Sequence, residues 1–389
     1  MAVAAAPRPR PTRYWYLDNL KVVLTALVIL HHTGQPYGPT GGFWYFEDSL
    51  SFEPLGIFFR INASFFMGLF FLVSGYFMPG SFDRKGAAAF VKDRLLRLGL
   101  PLVTLFVTVI PGIMYVSYRG IRGGTLPFWS YITQIYLGGG PRPEGLVSPS
   151  WPELQFGHLW FVEHLLFYAV CYAIGRRLWR RRQAPPVGPQ RPAPGDLAIV
   201  AYIAALSAVT VLIRVWYPID RWVAFLGFIQ MEPAHVAQYL SFLILGAAAY
   251  RRGWLSSFAA ARGFRWLAAG VGLSLLYAGL VQAGLWWGHV PGWLDSVWEC
   301  AFAVSIAIGL LTLGRERLNT ESRFWQALSA DAFAAYLFHV PVIVALQFAM
   351  APIGAPALVK FLVVGVVGVV ATFAVSHLIR RIPGVSRIL

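Results

Sequence analysis

Residues 361–381 read FLVVGVVGVVATFAVSHLIRR, nineteen uncharged positions closed by two arginines. A helix rises about 1.5 Å per residue, so about 20 apolar residues cross the roughly 30 Å hydrocarbon layer of a bilayer. This stretch therefore has the length of a membrane span, and Arg380 and Arg381 mark the end that stays on the cytoplasmic side. The glycines of GVVGVV suit close approach of a neighbouring helix better than ligand binding.

Nine more stretches resemble it. The ten expected spans are 15–35, 57–78, 99–118, 158–175, 197–217, 235–250, 266–287, 297–313, 328–349 and 357–379. The composition agrees: 57% of the residues are hydrophobic and 13% charged, with a mean hydropathy of +0.60. Ordinary soluble domains carry about 25% charged residues. A soluble enzyme, a disordered chain and a collagen-like fibre are excluded. Cys171 and Cys300 are too few for a disulfide framework or a multi-cysteine zinc site, and no metal is expected.

The formal charge of +15 suggests nucleic acid until the basic residues are placed. Of the 32 lysines and arginines, 24 fall in one alternating set of connections and at the two ends. Asymmetry of this kind orients a polytopic protein with both termini cytoplasmic, and makes anionic lipid the partner of the charge. The expected fold is all-α, about ten transmembrane helices in one bundle. Residues 1–13 read as a disordered basic tail and 14–389 as a single integral membrane domain. A Pro-rich cytoplasmic linker covers 183–196, and Leu126–Leu137 in the longest external connection reads as an interfacial helix or a lid.

Nucleotide-binding glycine loops, GxSxG and HExxH are absent. Chemistry must come from ionisable residues inside the spans, which are costly in lipid and functional by default. In LDNLKVVLTALVILHHTG (17–34), Lys21 and His32 are eleven residues apart, about 16 Å and three turns, so they share one helix face. Asp18 lies on that face within reach of Lys21, and His31 is rotated about 100° away from it. A snorkelling Lys21 with an interfacial His32 accounts for the spacing equally well.

In VKDRLLRLGLP, Arg94 and Arg97 form a candidate fork for phosphate, although ordinary cytoplasmic charge explains them more simply. GHLWFVEHLLFY places Glu163 among His158, Trp160 and His164 on the external side; a structural ion pair with Arg60 or Arg214 competes with a catalytic role. His339 sits near mid-membrane two residues before Pro341, where packing against a freed carbonyl is the favoured reading.

Together these residues resemble the acyltransferase-3 family of integral membrane, acyl-CoA-dependent acyltransferases. The resemblance rests on the basic residue, ten residues and histidine from Lys21 to His32, with Asp18 before them. FFLVSGYFM (Phe70–Met78), Arg94 with Arg97, GHLWF (157–161) and AAYLFHVPV (334–342) complete it. The wording is most similar to the periplasmic-glucan succinyltransferase-like branch. The resemblance implies O-acylation: a short acyl group, acetyl or succinyl, passes from acyl-CoA to a hydroxyl of an extracytoplasmic glycan, in the plasma (inner) membrane of a bacterium. Acyl-CoA is then the donor substrate, with no permanently bound cofactor and no nucleic-acid partner. His32 becomes the general base and Glu163 the carboxylate that orients it. Arg94 and Arg97 hold the CoA phosphates, Lys21 with Asp18 guides the pantetheine arm, and His158, Trp160 and His339 support the site. The competing function is a secondary transporter or flippase with His, Lys and Glu as a proton relay. Such a protein typically shows inverted repeats, and none is visible.

Overall fold

A computed structural model describes residues 14–39, 44–144, 151–178, 191–226, 229–286 and 288–389. The basic tail expected over 1–13 and residues 183–190 of the Pro-rich linker lie outside these. A helix occupies each of the ten expected stretches: α1 (Trp15–Gly34), α2 (Leu55–Lys85), α3 (Ala87–Gly120), α4 (Gly157–Leu178), α5 (Asp196–Trp216), α6 (Pro233–Arg252), α7 (Ala260–Gln282), α8 (Gly292–Arg317), α9 (Arg323–Met350) and α10 (Ala357–Arg380). Among the described residues eight of these are long and apolar enough to cross a membrane. The other two, α1 and α6, carry Asp18, Lys21, His31 and His32, and His235, Gln238, Arg251 and Arg252, which lower their hydropathy.

Two helices overrun their expected ends the furthest on the side rich in arginine. α2 continues to Lys85 and stops at Gly86, whose φ of 76° is the left-handed conformation that glycine adopts without strain. α3 begins at Ala87, with Phe90 buried and a π-turn over Leu95–Gly99. Hydropathy marks where hydrocarbon ends, whereas helical hydrogen bonding continues into the headgroup zone.

α1 lies inside the bundle, packed by α2, α8, α9 and α10. α2 and α6 make the most intimate pair because Gly75 and Gly246 let their backbones meet: a Cβ on Gly75 would strike the Leu243 carbonyl, and one on Gly246 the Leu72 carbonyl. Leu197, Val215, Leu275, Val366 and Val370 of α5, α7 and α10 are exposed, forming apolar surface suited to lipid.

The connection before α4 is tied down. Phe128–Tyr131 is a helical turn continued by a π-turn over Ile132–Tyr136. Glu153, fully buried, accepts from Arg122 at 2.6 Å and from the Tyr131 hydroxyl at 3.2 Å. The all-α expectation needs one correction: between α5 and α6, Val223–Phe225 pairs antiparallel with Ile229–Met231, with Ala224 opposite Gln230. Such short strands carry too little period-2 pattern to be read from sequence.

Candidate functional site

Four histidines from three helices stand in a row. The His31 and His32 rings of α1 are 5.4 Å apart, His32 and His339 of α9 are 5.2 Å apart, and His339 and His158 at the start of α4 are 5.1 Å apart. The row begins with a proline. Pro341 has no N–H, so the Leu337 carbonyl four residues earlier loses its helical partner. His158 Nε2 fills that vacancy at 3.0 Å. A carbonyl only accepts, so Nε2 carries the proton and Nδ1 does not. His339 is set the opposite way: Nδ1 donates to the Tyr336 carbonyl at 2.6 Å, leaving Nε2 as an unpartnered lone pair. The Tyr336 hydroxyl donates to the His158 carbonyl, pinning α9 to α4.

His32 is clamped by packing. Its ring stacks on Trp44 at 5.2 Å with planes 10° apart, and its Nδ1 is buried without a hydrogen-bond partner. Trp44 Nε1 donates to Gln347 Oε1 at 2.9 Å, and Gln347 Nε2 donates back to the Thr33 carbonyl at 3.1 Å. One buried glutamine thus fastens the loop tryptophan, α1 and α9 around the imidazole. A neutral imidazole in this setting can take a proton from a hydroxyl or attack an acyl carbon.

The other candidates lie apart from this row. Lys21 pairs with Asp18 at 2.8 Å, as the helical spacing requires, and its ammonium sits 5.3 Å from the Phe77 ring centroid. Arg94 lies over Phe90, its guanidinium 5.0 Å from the ring centroid, while the Arg97 side chain is 59% exposed and meets Asp93 at 3.2 Å. Asp93 also holds Lys85 at 2.7 Å. The pair is asymmetric, one arginine stacked and one open to solvent, because the π-turn intervenes. Trp160 stacks on Tyr239 of α6 and meets the ring of Trp222.

Glu163 is buried, and neither carboxylate oxygen makes a hydrogen bond to His32, whose own Nδ1 is also unpartnered. It faces instead the backbone amide of Gln230 on the hairpin, without completing a well-formed bond. The rival ion pair is corrected as well. Arg60 is held by Asp295 at 2.6 Å and Glu299 at 2.7 Å, and Arg214 by Glu299 at 2.9 Å. Glu299 further meets His235 Nε2 at 3.1 Å, and His235 Nδ1 bonds Glu232 at 2.8 Å. This network joins α2, α5, α6 and α8, and sequence reading missed it because no fixed spacing links its members. It backs a cavity of about 720 Å³ lined by Arg60, Asp220, Glu232 and His235, with His31 also in its wall.

Curated relatives share part of this chain. The "Glucans biosynthesis protein C" of Salmonella heidelberg (strain SL476) and that of Salmonella typhi are each 26% identical over 254 residues. Those alignments cover 64% of this chain and 60% of the relative, so the chain spans less than two thirds of the curated relatives it matches. No solved structure matches the chain. The "Acyltransferase domain" model of the acyltransferase-3 family matches residues 14–381, so the chain belongs to that family.

Proposed function

We propose that the chain moves a short acyl group, acetyl or succinyl, from cytoplasmic acyl-CoA to a hydroxyl of an extracytoplasmic glycan. The observation that carries this reading is His32, stacked on Trp44 between His31 and His339 with an unpartnered ring nitrogen. Family membership supports acyl transfer, and the relatives' name supports a glucan as acceptor. In the reaction, His32 takes the proton of the acceptor hydroxyl while its oxygen attacks the thioester carbon. A C–O bond forms, the C–S bond breaks, and the imidazolium returns the proton to the departing thiolate, giving an ester and free CoA. Arg94 and Arg97 hold the nucleotide phosphates, and Lys21 with Asp18 guides the pantetheine arm. His339 presents its free Nε2 toward the same space, and His158 and Tyr336 hold that helix in place. Glu163 acts at the external end of α4 without bonding His32.

Proteoliposomes given labelled acetyl-CoA or succinyl-CoA are expected to release CoA faster when glucan oligosaccharides are added on the acceptor side. No release with either donor would replace acyl transfer by proton-coupled transport.

The reading requires ten spans in the plasma (inner) membrane, with both termini cytoplasmic and the His32 end of α1 outward. In a Cys171→Ser background, an impermeant maleimide is expected to label Glu144→Cys from outside, and Ser256→Cys only after permeabilisation. The reverse pattern would turn the protein over and place His32 on the donor side.

A further inference from the structure

The 720 Å³ cavity opens among the connections that precede α2 and α6 and the end of α7, and its size falls within the roughly 300–1,000 Å³ usual for small-ligand pockets. His31 and Phe59 form part of its wall, their rings 5.3 Å apart, and the His31 ring is 5.4 Å from that of His32. A ligand filling the cavity therefore ends against the histidine row. His31 Nδ1 is buried and has no hydrogen-bond partner.

We infer that this cavity is a subsite for a neutral polyhydroxylated ligand, with Asp220 as its specificity-determining residue; the ligand's role as acyl acceptor rests on the acyltransfer reading above.

Charge weighs against an anionic ligand and against an apolar one. The wall carries Glu53, Asp220 and Glu232 against Arg60 and His235; Arg60 is already held by Asp295 and Glu299, and His235 by Glu232 and Glu299. An anionic ligand would meet Glu53 and Asp220, with Arg60 and His235 already paired to other carboxylates. An apolar ligand would desolvate Glu53 and Asp220 without supplying donors. Hydroxyl groups supply donors in number, and the Phe59 ring offers an apolar wall for a C–H face.

The local backbone points to Asp220 in particular. It has φ 68°, a left-handed conformation uncommon outside glycine and most tolerated by Asn and Asp. Its amide is held there by Glu232 Oε1 at 2.6 Å. Such strain persists where the surrounding structure imposes it, often at binding sites. Lost hydration, and after it the adjacent Glu232 carboxylate, pushes the Asp220 carboxyl above its usual value, while the residue stays open to the cavity. Donors from a ligand would stabilise this carboxylate beside Glu232, and hydroxyls supply them.

The test separates binding from catalysis. Gln282→Cys, at the cavity rim, is placed in a Cys171→Ser background and labelled from outside with an impermeant maleimide. Maltose, cellobiose and gentiobiose are the neutral probes and glucuronate the anionic one. At least one disaccharide is expected to slow labelling, and glucuronate to leave it unchanged. Asp220→Asn, which keeps the left-handed backbone, is expected to raise the half-protecting concentration about tenfold or more. It should raise the acceptor KM by a similar factor while leaving kcat near its starting value. Protection by glucuronate as strong as by the disaccharides, no protection by any disaccharide, or protection indifferent to Asp220→Asn would each overturn the inference. The comparison of probes on the unsubstituted Asp220 needs no second variant to fold. Protection with the expected preference but without acyl transfer would leave the sugar site standing and remove the acyltransfer reading instead.

Discussion

His32→Ala is expected to lower acyl transfer by about 10²–10⁴-fold, the usual cost of losing a general base, while affinity for CoA stays close to that of the unaltered protein. The loss is chemical, because the donor's phosphates are assigned to Arg94 and Arg97 near the start of α3, on a different helix from His32. Truncation also leaves a gap beside Trp44, so the variant has to be compared at matched folded fraction, by size exclusion and by tryptophan fluorescence. His31→Ala is expected to act differently, through a raised acceptor KM, since His31 lines the outer cavity. A His32→Ala protein that keeps a tenth or more of its rate would move the base to His339, whose Nε2 lone pair is already free.

The two neighbours make that comparison informative. Backbone carbonyls set the tautomers of His158 and His339 in opposite senses, whereas His32 is held by stacking and leaves Nδ1 without a partner. His32 shares this with His31, and of the two it is His32 that stacks on Trp44 and faces His339. A free nitrogen on a fixed ring is the property a base needs, and it comes from Trp44 and Gln347, neither of which bears any motif.

How much of this was legible beforehand follows from the range of each interaction. The helices were readable because a bilayer imposes length and hydropathy on a contiguous segment, and among the described residues eight of them meet both conditions. The Asp18 and Lys21 pair was readable because helical geometry relates residues three apart. His339 was read as a helix-packing residue, and its Nδ1 does bond within its own helix. The carbonyl freed by Pro341 goes to His158, some 180 residues away, a pairing that no local pattern contains. The same limit hid the Glu299 network, whose members are scattered from Arg60 to Glu299. It also hid the small hairpin that faces Glu163 in place of His32. Local chemistry constrained by a helix was visible, and chemistry assembled between helices was not.

Arg94→Ala with Arg97→Ala is expected to weaken binding of acyl-CoA and of free CoA alike, by about 10²–10⁴-fold for the pair. Each charge-assisted contact contributes about 1.5–3 kcal/mol, and every 1.4 kcal/mol is about tenfold. A short acyl-pantetheine thioester lacking the nucleotide phosphates should lose far less, because it never makes those contacts. The structure sharpens the expectation residue by residue. Arg97 is exposed and tied only to Asp93, so it can swing to a phosphate, whereas Arg94 is stacked on Phe90 with its Nε buried. Arg97→Ala alone should therefore account for most of the phosphate-dependent loss, and Arg94→Ala for most of any loss of fold. Double Arg→Lys should rescue in part, since lysine keeps the charge and loses the planar fork. Binding isotherms for CoA and for the short thioester, on each variant in the same lipid, decide the matter. Equal losses for both ligands would mean that the arginines support the helix around its π-turn, and the phosphate site would then have to be sought among Arg84, Lys85 and Arg323.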